Sequence, residues 1–249
     1  MESNEGQPLL AHLGELRKRL VACAIAVGVG FAVSYAFSEE LFQILVLPLK
    51  KNMAEGERLI FTSLPDMFFT YLKTAFVAGL LLSSPFVFYQ IWMFIAPGLY
   101  QKEKRMLIPF VLFSTLLFVG GGLFGYFIVF PFGFKFFLSF ENEYLHALPS
   151  VKQYFSFSVK LLFAFGAVFE LPVVIYFLAR MGVVSTSLLR RKRKYAIVLG
   201  FALSAILTPP DVITQFMMAV PLVALYEVGI LMARIAGRKQ PERGKAEAE

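Results

Sequence analysis

Six apolar runs set the terms for this 249-residue chain, covering residues 20–37, 67–95, 107–130, 155–181, 195–207 and 212–232. About 20 apolar residues in a helix cross roughly 30 Å of hydrocarbon. Backbone groups in lipid must bond internally, so each run is expected to be a helix. Composition agrees. The chain is 58% hydrophobic, 16% charged and carries 29 Phe, whereas a soluble body of this size needs far more polar surface. The expected fold class is an all-α integral membrane protein with six transmembrane helices, in one domain over residues 1–234. The polar tail, 235–249, is expected to be disordered. The amino terminus, MESNEGQPLL, lacks a basic segment and a small-residue cleavage site, so the first run is expected to be a true span.

Charge placement orients the spans. Of the 24 Lys and Arg, seventeen fall in four segments: Arg17 to Arg19; Lys102, Lys104 and Arg105; Arg180 with Arg190 to Lys194; and Arg234 onward. The alternate connections hold the other seven. By the positive-inside rule this places both termini in the cytoplasm, and an even number of spans agrees. The net charge of +7 is thereby explained by orienting loops, with no call for a nucleic-acid face.

Punctuation marks the ends. Ser63-Leu64-Pro65-Asp66 and Pro149-Ser150 precede spans two and four, Pro97-Gly98 ends span two, and Ser185-Thr186-Ser187 can cap a short basic helix. Pro85, Pro172 and Pro221 lie within spans and are each expected to kink their helix. Three small-residue pairs at four-residue spacing, Ala24 with Gly28, Gly121 with Gly125 and Gly200 with Ser204, are expected to pack helices closely. The fifth run is short. At most 14 residues separate Lys194 from Pro209, about 21 Å of helix, so the bilayer thins there or neighbours shelter the helix.

Chemistry-bearing residues are few. Glu170 sits deep in the fourth run, where an ionisable group costs at least ~2.5 kcal/mol. It is either a polar point meeting substrate or a partner helix, or a structural hydrogen bond to a neighbour. Glu103 lies among three cations in GLYQKEKR, as a binding group or a counter-ion of its own loop. Glu15 lies in HLGELRKRL with Leu13, Leu16 and Leu20 on one face, as a binding group or an i,i+4 partner of Arg19. Glu227 is read as structural, and Asp211 as a cap of span six. One cysteine, Cys23, precludes an internal disulfide, and His12 and His146 have no metal-ligand spacing. No phosphate loop and no GxSxG or HExxH motif is present. No catalytic residue, metal or cofactor is therefore expected.

Four motifs, HLGELRKR (12–19), FIAPGLYQKEKR (94–105), FGAVFELPV (165–173) and LTPPDVITQ (207–215), make the chain resemble the TatC family, the multispanning core of the twin-arginine protein translocase. The resemblance implies a signal-peptide receptor of the bacterial cytoplasmic membrane rather than an enzyme. Such a receptor exports folded proteins on the proton motive force. It implies a curved, concave wall of helices, self-association, and TatA-type and TatB-type single-span partners, the latter docking at the fifth span. By the same resemblance Glu15 and Glu103 receive the arginine pair of the signal, with Phe94, Arg17 and Arg105 around them. Glu170 is the acidic residue of the concave face, and Pro48, Phe68, Asp211 and Gln215 are outer-face positions linked to assembly and transport. Two other classes remain open: a proton-coupled small-solute carrier centred on Glu170, which would show internal repeats and several intramembrane charges, and a scaffold for other membrane proteins.

Overall fold

Leucine-, alanine- and phenylalanine-rich runs with few β-breakers fold as helices throughout. The computed structural model describes residues 6–53, 58–95, 107–142, 144, 147–207 and 212–237. Ten α-helices follow in order: α1 Gly6–Ala36, α2 Ser38–Lys50, α3 Asp66–Ile95, α4 Leu107–Phe124, α5 Phe130–Leu138, α6 Val151–Phe169, α7 Leu171–Arg180, α8 Thr186–Arg191, α9 Arg193–Leu207 and α10 Val212–Gly237. A π-helical turn, Gly125–Val129, joins α4 to α5. Among the described residues five segments are long and apolar enough to cross a membrane: Leu13–Ala36, Asp66–Ile95, Ile108–Leu138, Val151–Arg180 and Val212–Gly237. α9 has 15 residues, about 22 Å, the short fifth run expected from the sequence.

Contacts divide the chain into two units, Met1–Val119 with Phe140–Val159, and Gly120–Ser139 with Lys160–Glu249. In the first unit α1 lies against α3. They cross at Gly30 and Gly79, where a Cβ on Gly30 would stand 2.5 Å from the Gly79 carbonyl oxygen. Only glycine permits that approach, which exposes backbone to backbone. At Gly28 a Cβ would meet nothing within 4 Å. The Ala24/Gly28 pair therefore makes no close helix contact at Gly28, because the crossing falls two residues later. Trp92 donates its indole N–H to Ser114 Oγ (3.1 Å) and stacks on Phe110, joining α3 to α4.

At the other end of this unit, between the first two apolar runs, residues 38–50 form α2, which none of the six runs covers. Glu39 and Glu40 occupy its first turn and Lys50 its last, matching the helix dipole. Its Phe42 stacks on Phe155 at 4.7 Å and meets Tyr71 edge-on. At the start of α3 Ser63 and Asp66 bond to each other, the Asp66 N–H donating to the Ser63 carbonyl at 3.0 Å. The Ser63 N–H donates to Asp66 Oδ2 (3.0 Å), and Lys152 Nζ lies 3.5 Å from the same carboxylate. Ile60 and Ser150 form a short parallel bridge beside it.

In the second unit Gly121 passes the Phe165 backbone so closely that a Cβ would lie 2.5 Å from its carbonyl oxygen, and Gly125 abuts the Phe165 ring. This small-residue pair packs as expected. So does Gly200, buried beside Val223 and Leu222, with Ser204 one turn on. α7 and α10 run side by side in a parallel register. Gly229 meets Ile175, and Ile175, Ala179, Ala233 and Ala236 form a buried cluster. Of the three expected proline positions, Pro172 marks a break, with α6 ending at Phe169 and α7 beginning at Leu171. α3 and α10 continue through Pro85 and Pro221. α7 closes on Gly182 at φ 78°, with Val183 N–H donating to the Leu178 carbonyl, a Schellman end that favours glycine. Ser185 caps α8 by accepting the Leu188 N–H at 3.2 Å.

Candidate functional site

The register of α1 against α3 decides which of the expected residues meet. Gly30 faces Gly79, and eleven residues back on α1 and eleven forward on α3 Arg19 donates to Gln90 Oε1 at 3.2 Å. An antiparallel pair keeps the sum of facing numbers constant. One further turn therefore puts Glu15 level with Phe94, the two residues singled out at this end of the helices. Leu13, Leu16 and Leu20 of the same α1 segment are exposed, an apolar face beside the carboxylate.

Glu15 is not a bare carboxylate. Its Oε1 accepts from Arg19 Nε (3.0 Å) and from Arg19 Nη2. The side chains are 36% and 20% exposed respectively. The i,i+4 pairing weighed from the sequence is thus present. It places both guanidinium N–H groups on the single oxygen Oε1 rather than one on each carboxylate oxygen, as a full bidentate pair does. A half-exposed pair of this kind stabilises by ~0.2–1 kcal/mol. An incoming guanidinium can share or displace it at that modest cost. Arg19 itself is held from α3 by Gln90, a contact that the sequence pattern could not reveal because it joins residues 71 apart. Arg17 is exposed on the same turn. Glu103 and Arg105 lie outside the described residues.

Other expected positions are dispersed. Glu170 occupies the junction of α6 and α7, half-buried, with its carbonyl accepting from Val173 and Val174 N–H, both 3.0 Å. Pro48 is buried inside α2 and its carbonyl accepts from Asn52 Nδ2 at 2.8 Å. Phe68 is 53% exposed on α3. Gln215 on α10 donates to the Phe201 carbonyl of α9 at 3.0 Å, and Phe201 meets Phe216 edge-on. The Gln215 amide thus ties the α9–α10 hairpin together. Asp211 lies outside the described residues. Glu227, read as structural, pairs with Arg193 at 2.6 Å across the same hairpin. Among the described residues no group of three or more His, Cys, Asp or Glu could hold a metal ion.

Comparison with known proteins gives one consistent result. A family model described as Sec-independent protein translocase protein (TatC) matches residues 11–221. The chain is 53% identical to the Sec-independent protein translocase protein TatC of Desulforapulum autotrophicum, over 98% of this chain and 91% of that protein. The Escherichia coli K12 protein of the same name is 41% identical, over 97% and 95%. That of Aquifex aeolicus is 44% identical, over 96% and 100%. A crystal structure of a twin-arginine translocase receptor, TatC, superposes with a TM-score of 0.82 at 44% identity, covering 90% of this chain and 99% of that one.

Proposed function

We infer the working of this chain from one premise: it belongs to the TatC family of Sec-independent protein translocase proteins. It is a multi-pass protein of the bacterial inner membrane and a core subunit of the twin-arginine translocase. Its business is transport of proteins, not catalysis on a small substrate.

We propose that Glu15 and Glu103 together receive the paired arginines of a signal peptide at the inner membrane face. Arg17, Phe94 and Arg105 border that site. The observation that carries this is the Glu15 carboxylate, which already accepts a guanidinium fork from Arg19 beside an exposed apolar face. Arginine binds a carboxylate through two parallel N–H groups, and lysine is a point charge that cannot copy it. Two forks and two carboxylates give a reason for pairing arginines in the signal. The leucine face of α1 then offers apolar contact to the hydrophobic part of that signal.

Both termini lie in the cytoplasm in this reading, and α9 is the fifth of six spans. That helix is the docking side for a TatB-type partner, with TatA-type subunits and further copies of this chain completing the assembly. Glu170 supplies a polar point along the transport path, and Pro48, Phe68, Asp211 and Gln215 support assembly from the outer side. No nucleotide motif is present, and the membrane potential can supply ~2.3 kcal/mol per charge per 100 mV. The proton motive force is accordingly the source of drive.

Binding of a labelled twin-arginine signal to the purified protein in nanodiscs tests the site. Glu15→Ala and Glu103→Ala are each expected to weaken binding by about tenfold, ~1.4 kcal/mol. Unchanged affinity in both variants overturns the assignment.

A further inference from the structure

The second unit contains a basic cavity that the proposed signal site does not use. Thr186 and Arg190 of α8 line one side, and Arg234 and Gly237 of α10 the other. Its volume is about 420 Å³, within the ~300–1,000 Å³ of small-ligand sites and far more than a bare ion fills. Both arginines are exposed. Among the described residues neither has a carboxylate partner, unlike Arg19 and Arg193, which pair with Glu15 and Glu227.

The elements that form the cavity are fixed to each other. Tyr226 of α10 donates its hydroxyl to the Leu189 carbonyl of α8 at 2.9 Å, adjacent to Arg190. Val184 and Leu189 pack on the Ile175, Ala179, Ala233 and Ala236 cluster, which adjoins Arg234. The two guanidiniums therefore rise from braced backbone. Depth is set by the α9–α10 hairpin. Arg193 pairs with Glu227, and Arg234 lies seven residues further along α10, about 10 Å of helix. Lys192 and Lys194 sit over the ring of Tyr195, 4.8 and 5.2 Å from its centroid. An aromatic ring with flanking cations is characteristic of the headgroup layer. Arg190 of α8 directly precedes that cationic run, and Arg234 lies about two turns past Glu227, the partner of Arg193.

We propose that this cavity binds a phosphate-bearing anion, with Arg190 and Arg234 supplying two guanidinium forks and Thr186 a hydroxyl donor. Basic pockets between membrane helices on the cytoplasmic side suit phosphodiester headgroups. Planar forks match phosphate oxygens bidentately. The phosphate comes either from an anionic phospholipid or from solution, and the same chemistry recognises both.

The test uses the full chain, purified and exchanged into nanodiscs of phosphatidylcholine with or without cardiolipin. Bound lipid is counted by native mass spectrometry. A second arm titrates inorganic phosphate into lipid-depleted protein and follows binding by calorimetry. Wild type is expected to retain cardiolipin, bind phosphate, or both, and R190Q/R234Q to lose that binding by tenfold or more. K192Q/K194Q removes the same charge from the neighbouring run and is expected to bind as wild type does. Retention in the first arm alone identifies the lipid as source; binding in the second alone identifies free phosphate. Equal binding by R190Q/R234Q and wild type overturns the proposal. So does equal loss in K192Q/K194Q, which would mean a diffuse basic surface, and so does absence of binding in both arms. Should the double variant fail to fold, the single variants R190Q and R234Q serve, each expected to weaken binding severalfold.

Discussion

Arg19 competes for the carboxylate that a signal arginine is proposed to use, and magnitudes decide how much this matters. The half-exposed Arg19–Glu15 pair stabilises by at most ~1 kcal/mol. Arg19→Gln is therefore expected to change signal affinity by less than about fivefold, in either direction, while Glu15→Ala costs tenfold or more. Titration of both variants with one labelled signal peptide checks this. The glycines give a sharper residue-scale prediction. Gly79→Leu drives a side chain into the α1 backbone at Phe31 and is expected to cost ~1–3 kcal/mol, seen as a lower unfolding temperature in detergent. At Gly28 a Cβ meets nothing within 4 Å, and Gly28→Ala is expected to be neutral. Sequence spacing alone favoured Gly28 and passed over Gly30. A small-residue motif shows that close contact is possible, not which helix face receives it. Glu15 was legible because a carboxylate stands out in a basic segment. The clasp of its partner Arg19 to Gln90 was not, since only the α1–α3 register brings those two together.

At the scale of elements, hydropathy located every long helix, because the lipid requirement leaves a helix as the only solution for an apolar run. It missed α2, whose apolar middle, flanked by Glu39, Glu40 and Lys50, is too short to read as a span. That helix is specified by tertiary contact, the Phe42–Phe155 stack above all. Of the three prolines expected to kink their helices, Pro172 coincides with a break between helices. Pro172 is the second residue of α7, two past Glu170, and α3 and α10 run on through Pro85 and Pro221. α9 invites a direct test. Its 15 residues reach about 22 Å, short of ~30 Å of hydrocarbon. Five leucines added within α9 are expected to leave membrane insertion intact while lowering export at least severalfold. Normal export by that variant would show that the short length does no work in transport.

Across the whole molecule, family membership and the distribution of Lys and Arg carry the account. The relatives extend over nearly the full chain, and the motifs that suggest the family are spread along it, from residue 12 to residue 215. Orientation rests on seventeen cations against seven. A cysteine-accessibility reporter at either terminus is expected to be protected from impermeant reagent added to intact cells and reactive after lysis. What remained illegible at this scale is the basic cavity between α8 and α10. The sequence shows a cationic run, but not which two of its arginines lie open to one space.

The proposed signal site stands or falls on one comparison. Affinity is measured for a signal peptide carrying two arginines and for its two-lysine counterpart, against wild type and against Glu15→Gln/Glu103→Gln. The account predicts a preference for arginine of tenfold or more in wild type that collapses to near unity in the double variant. An arginine preference that survives intact in the double variant contradicts it.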